Sequence, residues 1–289
     1  MHQLILINII FIFRRFILQR FDKHNKNETC VPQKKIGFLK THKCASSTIQ
    51  NILLRFVIKN NLNVVLPQER NYLGHFHPTM YYLNQNHFNR KIINNTLWEK
   101  AGLGYDMLLC HTRWNHTAVA DVLRDNKDVF YLSILREPVE LFRSFWDYAK
   151  LSKMYRTTLE KFARKIIYKE IHLATKTQRS PGFNQMLHDF GVNFEHMVPK
   201  KGEHTFNRTR EVIKNKIREI DDNFNLVLLA DPTFFEDSLI LLKNELCWNY
   251  TDIVSLKLNS RPTNLKSKIS PKALKLIKGK FEIYSESIS

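Results

Sequence analysis

The sequence is poor in cysteine, glycine and acidic residues. It has 4 cysteines among 289 residues, and they form no C-x-x-C pair: Cys30, Cys44, Cys110 and Cys247. A cysteine-based metal site is therefore not expected, and we predict that the protein needs no metal. An even number of cysteines permits disulfides without assigning them. Cys110 and Cys247 end apolar runs, where a free buried thiol is equally natural.

Acidic residues are outnumbered, which indicates an acidic partner. The chain has 27 Asp and Glu against 45 Lys and Arg, a formal net charge of +18. Nucleic acid, an anionic membrane or a polyanionic cofactor would each fit this charge. No zinc-finger spacing, groove-reading basic region or aromatic RNA-binding signature occurs, so we predict no nucleic-acid partner.

No apolar run has the length of a membrane span. Leu4 to Phe13 is almost wholly apolar, but these ten residues fall short of the about 20 that a spanning helix needs. Arg14 and Arg15 follow the run. A truncated or mispredicted start, an interfacial amphipathic segment and a degenerate signal stay open as explanations. We divide the chain into an N-terminal apolar segment with a short stem, residues 1–33, and one domain, residues 34–289.

Residues 34–56, KKIGFLKTHKCASSTIQNILLRF, predict a strand, a polar turn and a helix in that order. Ile36 to Leu39 is an apolar run of strand length. Apolar residues recur at helical spacing from Ile49 to Phe56. The turn between them, Lys40 to Thr48, is cationic and hydroxylated. Free N–H groups and the partial positive charge at a helix start favour an anion there, so the stretch predicts a phosphate-binding turn.

Two other interpretations of this turn are weaker. Capping of the helix by Ser46 or Ser47 would explain one hydroxyl, but not three hydroxyls beside several cations. A nucleotide-triphosphatase loop needs G-x-x-x-x-G-K-[ST]. The segment contains no Gly-Lys-Ser/Thr, and its only glycine, Gly37, lies inside the predicted strand.

Apolar runs of strand length alternate with helical patterns along the rest of the chain. We predict further strands at residues 63–66, 105–110, 129–135, 224–230 and 253–258. We predict helices at residues 117–124, from Pro138, from Thr233 with a Thr233-x-x-Glu236 capping box, and from near Pro271. This alternation predicts an α/β fold with a central parallel sheet flanked by helices.

Three polar positions follow predicted strands. The turn from Lys40 to Thr48, His111 and Arg136 each come just after a strand end, and ligands of such sheets bind beyond the carboxyl ends of the strands. We therefore expect these positions to form one site. Ser144 lies eight residues after Arg136 on the helix from Pro138, so the two side chains could hold a single phosphate. A surface salt bridge and a polar helix face are equally good explanations of Arg136 and Ser144.

Two segments resemble the galactose-3-O-sulfotransferase family. LKTHKCASST, residues 39–48, is similar to its K-T-H-K-x-A-S-S-T signature, with Cys44 at the variable position. ILREPVELFRSFWDY, residues 134–148, is similar to the 3′-phosphate motif of sulfotransferases, with Glu137 where Asp is more frequent. The resemblance covers roughly residues 34–270. It implies a P-loop-like three-layer fold and 3′-phosphoadenosine 5′-phosphosulfate (PAPS) as sulfuryl donor.

The resemblance also implies roles for individual residues. His111 is the implied general base, with His42 as a second choice, and Lys43 would follow the bridging oxygen of the donor. The implied donor-binding residues are Lys40, Thr41, Lys43, Cys44, Ala45, Ser46, Ser47, Thr48, Arg136, Ser144 and, more weakly, Arg261.

The acceptor and the cellular location come from the resemblance alone. The family implies a galactose-terminated glycolipid or glycan as acceptor, and a Golgi membrane protein with a luminal catalytic domain behind an N-terminal signal anchor. Five N-x-[ST] sequons agree with a luminal body: Asn27, Asn94, Asn115, Asn207 and Asn249. A non-catalytic nucleotide- or polyanion-binding member of the same fold is the alternative hypothesis.

Overall fold

The sheet is parallel throughout, as the sequence predicts. A computed structural model describes residues 30–68, 70–74, 83, 88, 104–124, 128–165, 185–193, 203–255 and 267–283. The strands in these ranges are β1 Ile36–Leu39, β2 Val64–Val65, β3 Met107–Leu108, β4 Phe130–Leu135 and β5 Leu226–Leu229. They form one five-stranded sheet in the order β2-β3-β1-β4-β5, and every neighbouring pair is parallel. The predicted α/β class is confirmed.

Helices follow most of the strands. In the described ranges they are α1 Ser46–Asn60, α2 His116–Leu123, α3 Pro138–Tyr148, α4 Leu151–Met154, α5 Leu159–Lys165, α6 Gln185–Asp189, α7 Glu203–Asn223, α8 Phe235–Glu245, α9 Tyr250–Ile253 and α10 Pro271–Ile283. The predicted helix starts at Pro138 and Pro271 are confirmed. Proline is favoured at a first helical position because the N–H it lacks would have no partner there.

Helices cover both faces of the sheet, as is usual for a parallel sheet whose strands carry apolar side chains on both faces. Ile36 and Phe38 of β1 belong to the core on the side of α1 and α8, whereas Leu39 belongs to the core on the side of α2 and α7. Gly37 permits close approach on the second side. A Cβ at Gly37 would lie 2.7 Å from a ring carbon of Tyr131, so the strand fits against this ring only without a side chain.

A third apolar cluster lies beside the sheet. It joins α3, α4, α5 and α10, and its members are Val139, Phe142, Trp146, Leu151, Leu159, Phe162, Ala163, Ala273 and Ile277. Because α3 begins just after β4, this cluster anchors the helix that carries Ser144. On α3, Leu141 and Phe142 are buried, whereas Tyr148 is 53% exposed.

Two sequence predictions about local structure are wrong. No side chain caps α8: its N-cap is Phe234, and the Thr233 N–H donates to Asp231 Oδ1 at 2.8 Å. This local turn replaces the predicted capping box. Ile253 ends α9 rather than beginning a strand, because a capping box between Asn249 and Asp252 favours a helical turn. Residues 256–258 of that predicted strand lie outside the described ranges.

A disulfide ties the predicted stem to the domain. Cys30 and Cys247 are bonded, with Cα atoms 5.6 Å apart and a separation of 217 positions in the sequence. Gln33 strengthens the link, since its N–H donates to the Leu246 carbonyl at 2.9 Å. Its own carbonyl accepts the indole N–H of Trp248 at 3.0 Å. Residues 30–33 therefore pack on the end of α8.

In the described ranges, every helix falls short of the length and apolar character that crossing a membrane requires. The apolar run from Leu4 to Phe13 lies outside those ranges.

Cys247→Ser is expected to lower the free energy of unfolding by about 2–5 kcal/mol, because a cross-link closing so long a loop restricts the unfolded chain strongly. Chemical denaturation with and without a reductant measures this change. Reductant should destabilise the wild type and leave Cys247→Ser unaffected. A wild type that is insensitive to reductant would contradict the predicted contribution of this bond.

Candidate functional site

The ends of three neighbouring strands meet at one place. β1 lies between β3 and β4 in the sheet, and the polar positions predicted after these strands are in contact. His111 Nδ1 is 2.8 Å from the Lys40 carbonyl oxygen. A guanidinium nitrogen of Arg136 is 3.1 Å from the Lys43 carbonyl oxygen. The turn after β1 therefore contacts the segments that follow both adjacent strands.

The turn itself has an unusual backbone for a sequence without glycine. Lys43 and Ala45 have φ values of 59° and 54°, in the left-handed region, which costs about 1–3 kcal/mol for each such residue. Hydrogen bonds offset this cost. The Thr41 hydroxyl donates to the Ile134 carbonyl of β4, and the Ser46 hydroxyl donates to the Thr41 carbonyl. The turn is thus braced both internally and against the sheet.

Ala45, rather than a serine, is the N-cap of α1, and no side chain caps this helix. The helix begins at Ser46, earlier than the apolar spacing from Ile49 indicates. The Thr48 N–H donates to the Ala45 carbonyl at 2.9 Å. Because no side chain caps the helix, the N–H groups of Ser46 and Ser47 at its start can face a ligand.

The turn residues divide into a buried set and an outward set. Thr41, Cys44 and Ser46 are buried and support the turn from within. Burial raises the pKa of the Cys44 thiol to about 12, so this group is neutral at physiological pH. Ala45 and Ser47 are exposed and Thr48 is half-buried. A ligand at this turn would meet the second set.

Lys40 is a buried cation directly behind these hydroxyls. Its side chain is almost fully buried, at 2% exposed. Its ammonium donates to Ser47 Oγ at 3.0 Å and lies 3.4 Å from Ser46 Oγ. Among the described residues it forms no ion pair with a carboxylate. Burial lowers its pKa to about 8 from its ordinary value of 10.5.

Lys43 and Arg136 lie on the α3 side of the turn. The Lys43 ammonium is 4.3 Å from the centre of the Tyr148 ring, a cation–π contact. Arg136 also faces Glu140 at 3.8 Å, so the surface ion pair considered from the sequence coexists with its contact to the turn. Ser144 is half-buried on α3. Arg261 lies outside the described ranges.

The two predicted histidines are stacked on each other. The rings of His42 and His111 have centroids 4.2 Å apart and planes 18° apart. Because a carbonyl oxygen can only accept, His111 Nδ1 carries the hydrogen, and in the neutral ring Nε2 keeps a lone pair. Burial first, then the charges of His42 and Lys40, lower the pKa of His111 well below its ordinary value. Neutral His111 can therefore accept a proton through Nε2.

The sequence gives no indication of Asp189, which the structure places under the turn. Its carboxylate accepts the backbone N–H of His42 at 2.7 Å and contacts His42 Nδ1 at 2.9 Å. Asp189 comes from α6, 147 residues beyond His42 in sequence. The one signal that the sequence offers there is the presence of an acidic residue.

Tyr72 is a second residue that the sequence does not indicate. Its ring is 5.2 Å from that of His111 with the planes 24° apart, and it belongs to a stretch that lacks periodicity.

The family model for galactose-3-O-sulfotransferases matches residues 19–279 of the chain. The chain belongs to the galactose-3-O-sulfotransferase family. It is 33% identical over 257 residues to galactose-3-O-sulfotransferase 2 of Mus musculus, an alignment covering 84% of this chain and 57% of that protein. It is 28% identical over 236 residues to galactosylceramide sulfotransferase of Homo sapiens, covering 80% of this chain and 50% of that protein.

The chain thus spans about half the length of these relatives of the galactose-3-O-sulfotransferase family. Among solved structures, a sulfotransferase from Alicyclobacillus acidocaldarius aligns with a TM-score of 0.37 and 13% identity, covering 82% of this chain and 89% of that one.

Replacing Lys40 with Met is expected to change how stability depends on pH. The native pKa of Lys40, about 8, lies below its ordinary 10.5. Between these values the unfolded chain binds a proton that the native protein does not, so this group makes stability rise with pH. From about pH 8 to pH 10.5 we expect the free energy of unfolding of the wild type to rise by on the order of 3 kcal/mol relative to that of Lys40→Met.

Denaturation curves of both proteins at intervals from pH 7 to pH 10.5 measure this difference, and other titrations cancel in the comparison. Lys275→Met, which removes an exposed lysine from α10, is the control and should parallel the wild type. Parallel curves for Lys40→Met and wild type would contradict the assignment of Lys40 as a buried cation of low pKa.

Proposed function

We propose that this protein transfers a sulfuryl group from PAPS to the 3-hydroxyl of a terminal β-galactose on a glycolipid or glycoprotein. Membership in the galactose-3-O-sulfotransferase family supports the reaction class. The observation that carries the proposal is the joining of the turn after β1 to His111 and Arg136 by hydrogen bonds to its backbone. Those contacts support a single site made of the proposed anion-binding turn, the proposed base and a guanidinium.

The residues of the turn fit the 5′-phosphosulfate end of the donor. Lys40 has no carboxylate partner among the residues that the structure describes. A buried ammonium in that position is costly, and a bound anion would relieve the cost. Outward N–H groups at the start of α1, with the Ser47 and Thr48 hydroxyls, would bind the anion directly. Thr41, Cys44 and Ser46 would act by keeping the shape of the turn.

The 3′-phosphate of the donor would lie on the α3 side. Arg136 already contacts the turn through the Lys43 carbonyl, and a guanidinium pairs well with phosphate. Ser144 would add a hydroxyl from α3. Arg261 is a further proposed contact.

His111 would act as the general base. Its Nε2 would take the proton of the acceptor hydroxyl as the acceptor oxygen forms its bond to sulfur. The bond between sulfur and the bridging phosphate oxygen breaks in the same transfer, and the electron pair leaves with the phosphate. Lys43, moving from the Tyr148 ring, would stabilise the negative charge on that oxygen. His42 is the second candidate for the base. The proposed chemistry requires no metal.

The proposal also names an acceptor and a cellular location. The name of the human relative specifies galactosylceramide, a glycolipid. The Cys30–Cys247 disulfide favours an oxidising compartment, and Asn115 and Asn249 of two sequons are exposed. We propose a luminal Golgi location, with membrane association through the N-terminus.

Three variants test the proposed site in a sulfate-transfer assay with PAPS and galactosylceramide or a β-galactoside. Lys43→Ala, His111→Ala and Arg136→Ala should each lower kcat/KM by about 10²-fold or more, the size of loss seen when charge-stabilising or proton-accepting groups are removed. Arg136→Ala should also raise the KM for PAPS.

Arg143→Ala and Lys275→Ala are matched controls for this assay. Arg143 pairs with Glu140 at 2.6 Å, the same carboxylate that faces Arg136, and Lys275 is exposed. Both should retain wild-type transfer. Undiminished transfer in Lys43→Ala and Arg136→Ala would contradict the site. Wild-type binding of 3′-phosphoadenosine 5′-phosphate without turnover on any galactoside would instead favour a binding protein.

The pH dependence of kcat/KM, which reports the ionisations of the free enzyme, tests the base. Since the pKa of His111 lies well below 6.5, the ring stays neutral as the pH falls through that value, and activity should persist. With kcat/KM measured from pH 8 to pH 5, we expect the point of half-maximal loss on the acid side to lie below pH 6.5. A half-maximal loss at or above pH 6.5 would contradict the role of His111 as a neutral base.

A further inference from the structure

The Asp189 carboxylate is a buried anion with an unusual set of donors. It is 3% exposed, and its two oxygens have three nitrogen neighbours within hydrogen-bond distance. Oδ2 accepts the His42 backbone N–H at 2.7 Å. Oδ1 lies 2.9 Å from His42 Nδ1 and accepts the Gln185 amide N–H at 3.0 Å. One carboxylate thus holds both the backbone and the ring of His42.

This contact fixes the chemistry of the His42 ring. An ionised carboxylate can only accept, so the hydrogen of the contact belongs to His42 Nδ1. Burial would raise the pKa of Asp189, but the charge and hydrogen bond of His42, with His188, hold that pKa well below its ordinary value. The carboxylate therefore stays ionised, and the His42 ring cannot turn over without losing its charged partner.

The same contact constrains His111 through the ring stack. His111 lies on the face of the His42 ring, and its own Nδ1–H is committed to the Lys40 carbonyl. A rotation of His42 would remove the surface on which His111 rests. Tyr72 stacks near His111 at 5.2 Å, so the imidazole is held by ring contacts as well as by one hydrogen bond.

We propose that Asp189 is a positioning residue that acts through His42 to hold His111 in its proton-accepting orientation. This inference rests on the proposed sulfuryl transfer. Asp189 touches neither substrate in this scheme, and it forms the third member of a chain that runs from carboxylate to His42 to the stacked base. A carboxylate that hydrogen-bonds one ring nitrogen of a histidine sets the tautomer and the orientation of that imidazole.

A role confined to supporting the turn is the competing explanation, because Oδ2 also holds the His42 backbone. The two roles predict different losses. Damage to the turn would weaken donor binding together with turnover, whereas misorientation of the histidines would lower kcat and spare donor binding. If Asp189 acts through the His42 side chain, replacing Asp189 should have no effect on kcat in a variant whose His42 is already replaced.

The test combines kinetics with histidine NMR on the full chain. Asp189→Asn should lower kcat by at least about 10-fold, part of the 10²–10⁴-fold that a positioned base contributes. The Kd of 3′-phosphoadenosine 5′-phosphate should stay within about twofold of wild type, as expected where ground-state binding is unaffected. Asp189→Asn added to His42→Gln should cost no further activity. The NMR signal of the hydrogen-bonded His42 Nδ1–H should be present in wild type and lost in Asp189→Asn.

Asp252→Asn is the matched control. Asp252 is also a buried carboxylate that accepts a backbone N–H, from Asn249 at 3.0 Å, and a side-chain nitrogen, Lys59 Nζ at 2.6 Å. It should leave kcat and the His42 signal unchanged.

Three results would overturn the inference. They are a wild-type kcat in Asp189→Asn, a loss of kcat accompanied by an equal loss of donor affinity, and a double variant in which the two separate losses of kcat multiply. If Asp189→Asn does not fold, the wild-type spectrum decides, since a His42 without a bonded Nδ1–H excludes the proposed contact. A wild type that transfers no sulfate would refute the proposed function separately, while the NMR comparison still reports whether Asp189 orients His42.

Discussion

The site depends on holding a glycine-poor turn in a backbone shape that glycine normally supplies. Lys43 and Ala45 occupy the left-handed region, at a cost of about 1–3 kcal/mol each. Part of this cost is offset by bonds from the start of α1, where the Ser46 hydroxyl donates to the Thr41 carbonyl and the Thr48 N–H donates to the Ala45 carbonyl at 2.9 Å. Further compensation comes from neighbouring strand ends, through Thr41 to β4, Arg136 to the Lys43 carbonyl and His111 to the Lys40 carbonyl. Arg136 and His111, which are proposed to act in the reaction, therefore also stabilise the turn.

Lys40 shows how folding and function oppose each other in this turn. Its ammonium is buried behind the Ser47 hydroxyl and its pKa falls to about 8. In the free protein that burial is a cost, because hydroxyls solvate a cation less well than water does. With a phosphosulfate on the other side of the hydroxyls, the same charge would be favourable. A binding site of this kind is less stable empty than occupied, as preorganised electrostatic sites generally are.

The sequence predicts the parts of this arrangement that are local in the chain. Ile36 to Leu39 is recognisable as a strand because its residues are apolar and strand-length, and the positions of His111 and Arg136 follow from strand ends. The predicted capping box at Thr233 is wrong because two local patterns compete. The Thr233 N–H bonds to Asp231 in a turn, and this turn forms instead of the capping box. Asp189 could not be predicted. Its partner lies 147 residues away, and no local pattern encodes that contact.

Asp189 and Lys40 also explain why stacked histidines are tolerated at this sheet edge. His111, His42, Lys40 and Lys43 concentrate positive or protonatable groups around one turn, and a second buried positive charge would be repelled. The His111 bond goes to a neutral carbonyl and burial lowers its pKa, so this ring stays neutral. The His42 bond goes to a carboxylate whose charge offsets that of nearby Lys40. Two residues of one type thus receive different partners, and the difference is consistent with His111 as the proposed base and with His42 held in place by Asp189.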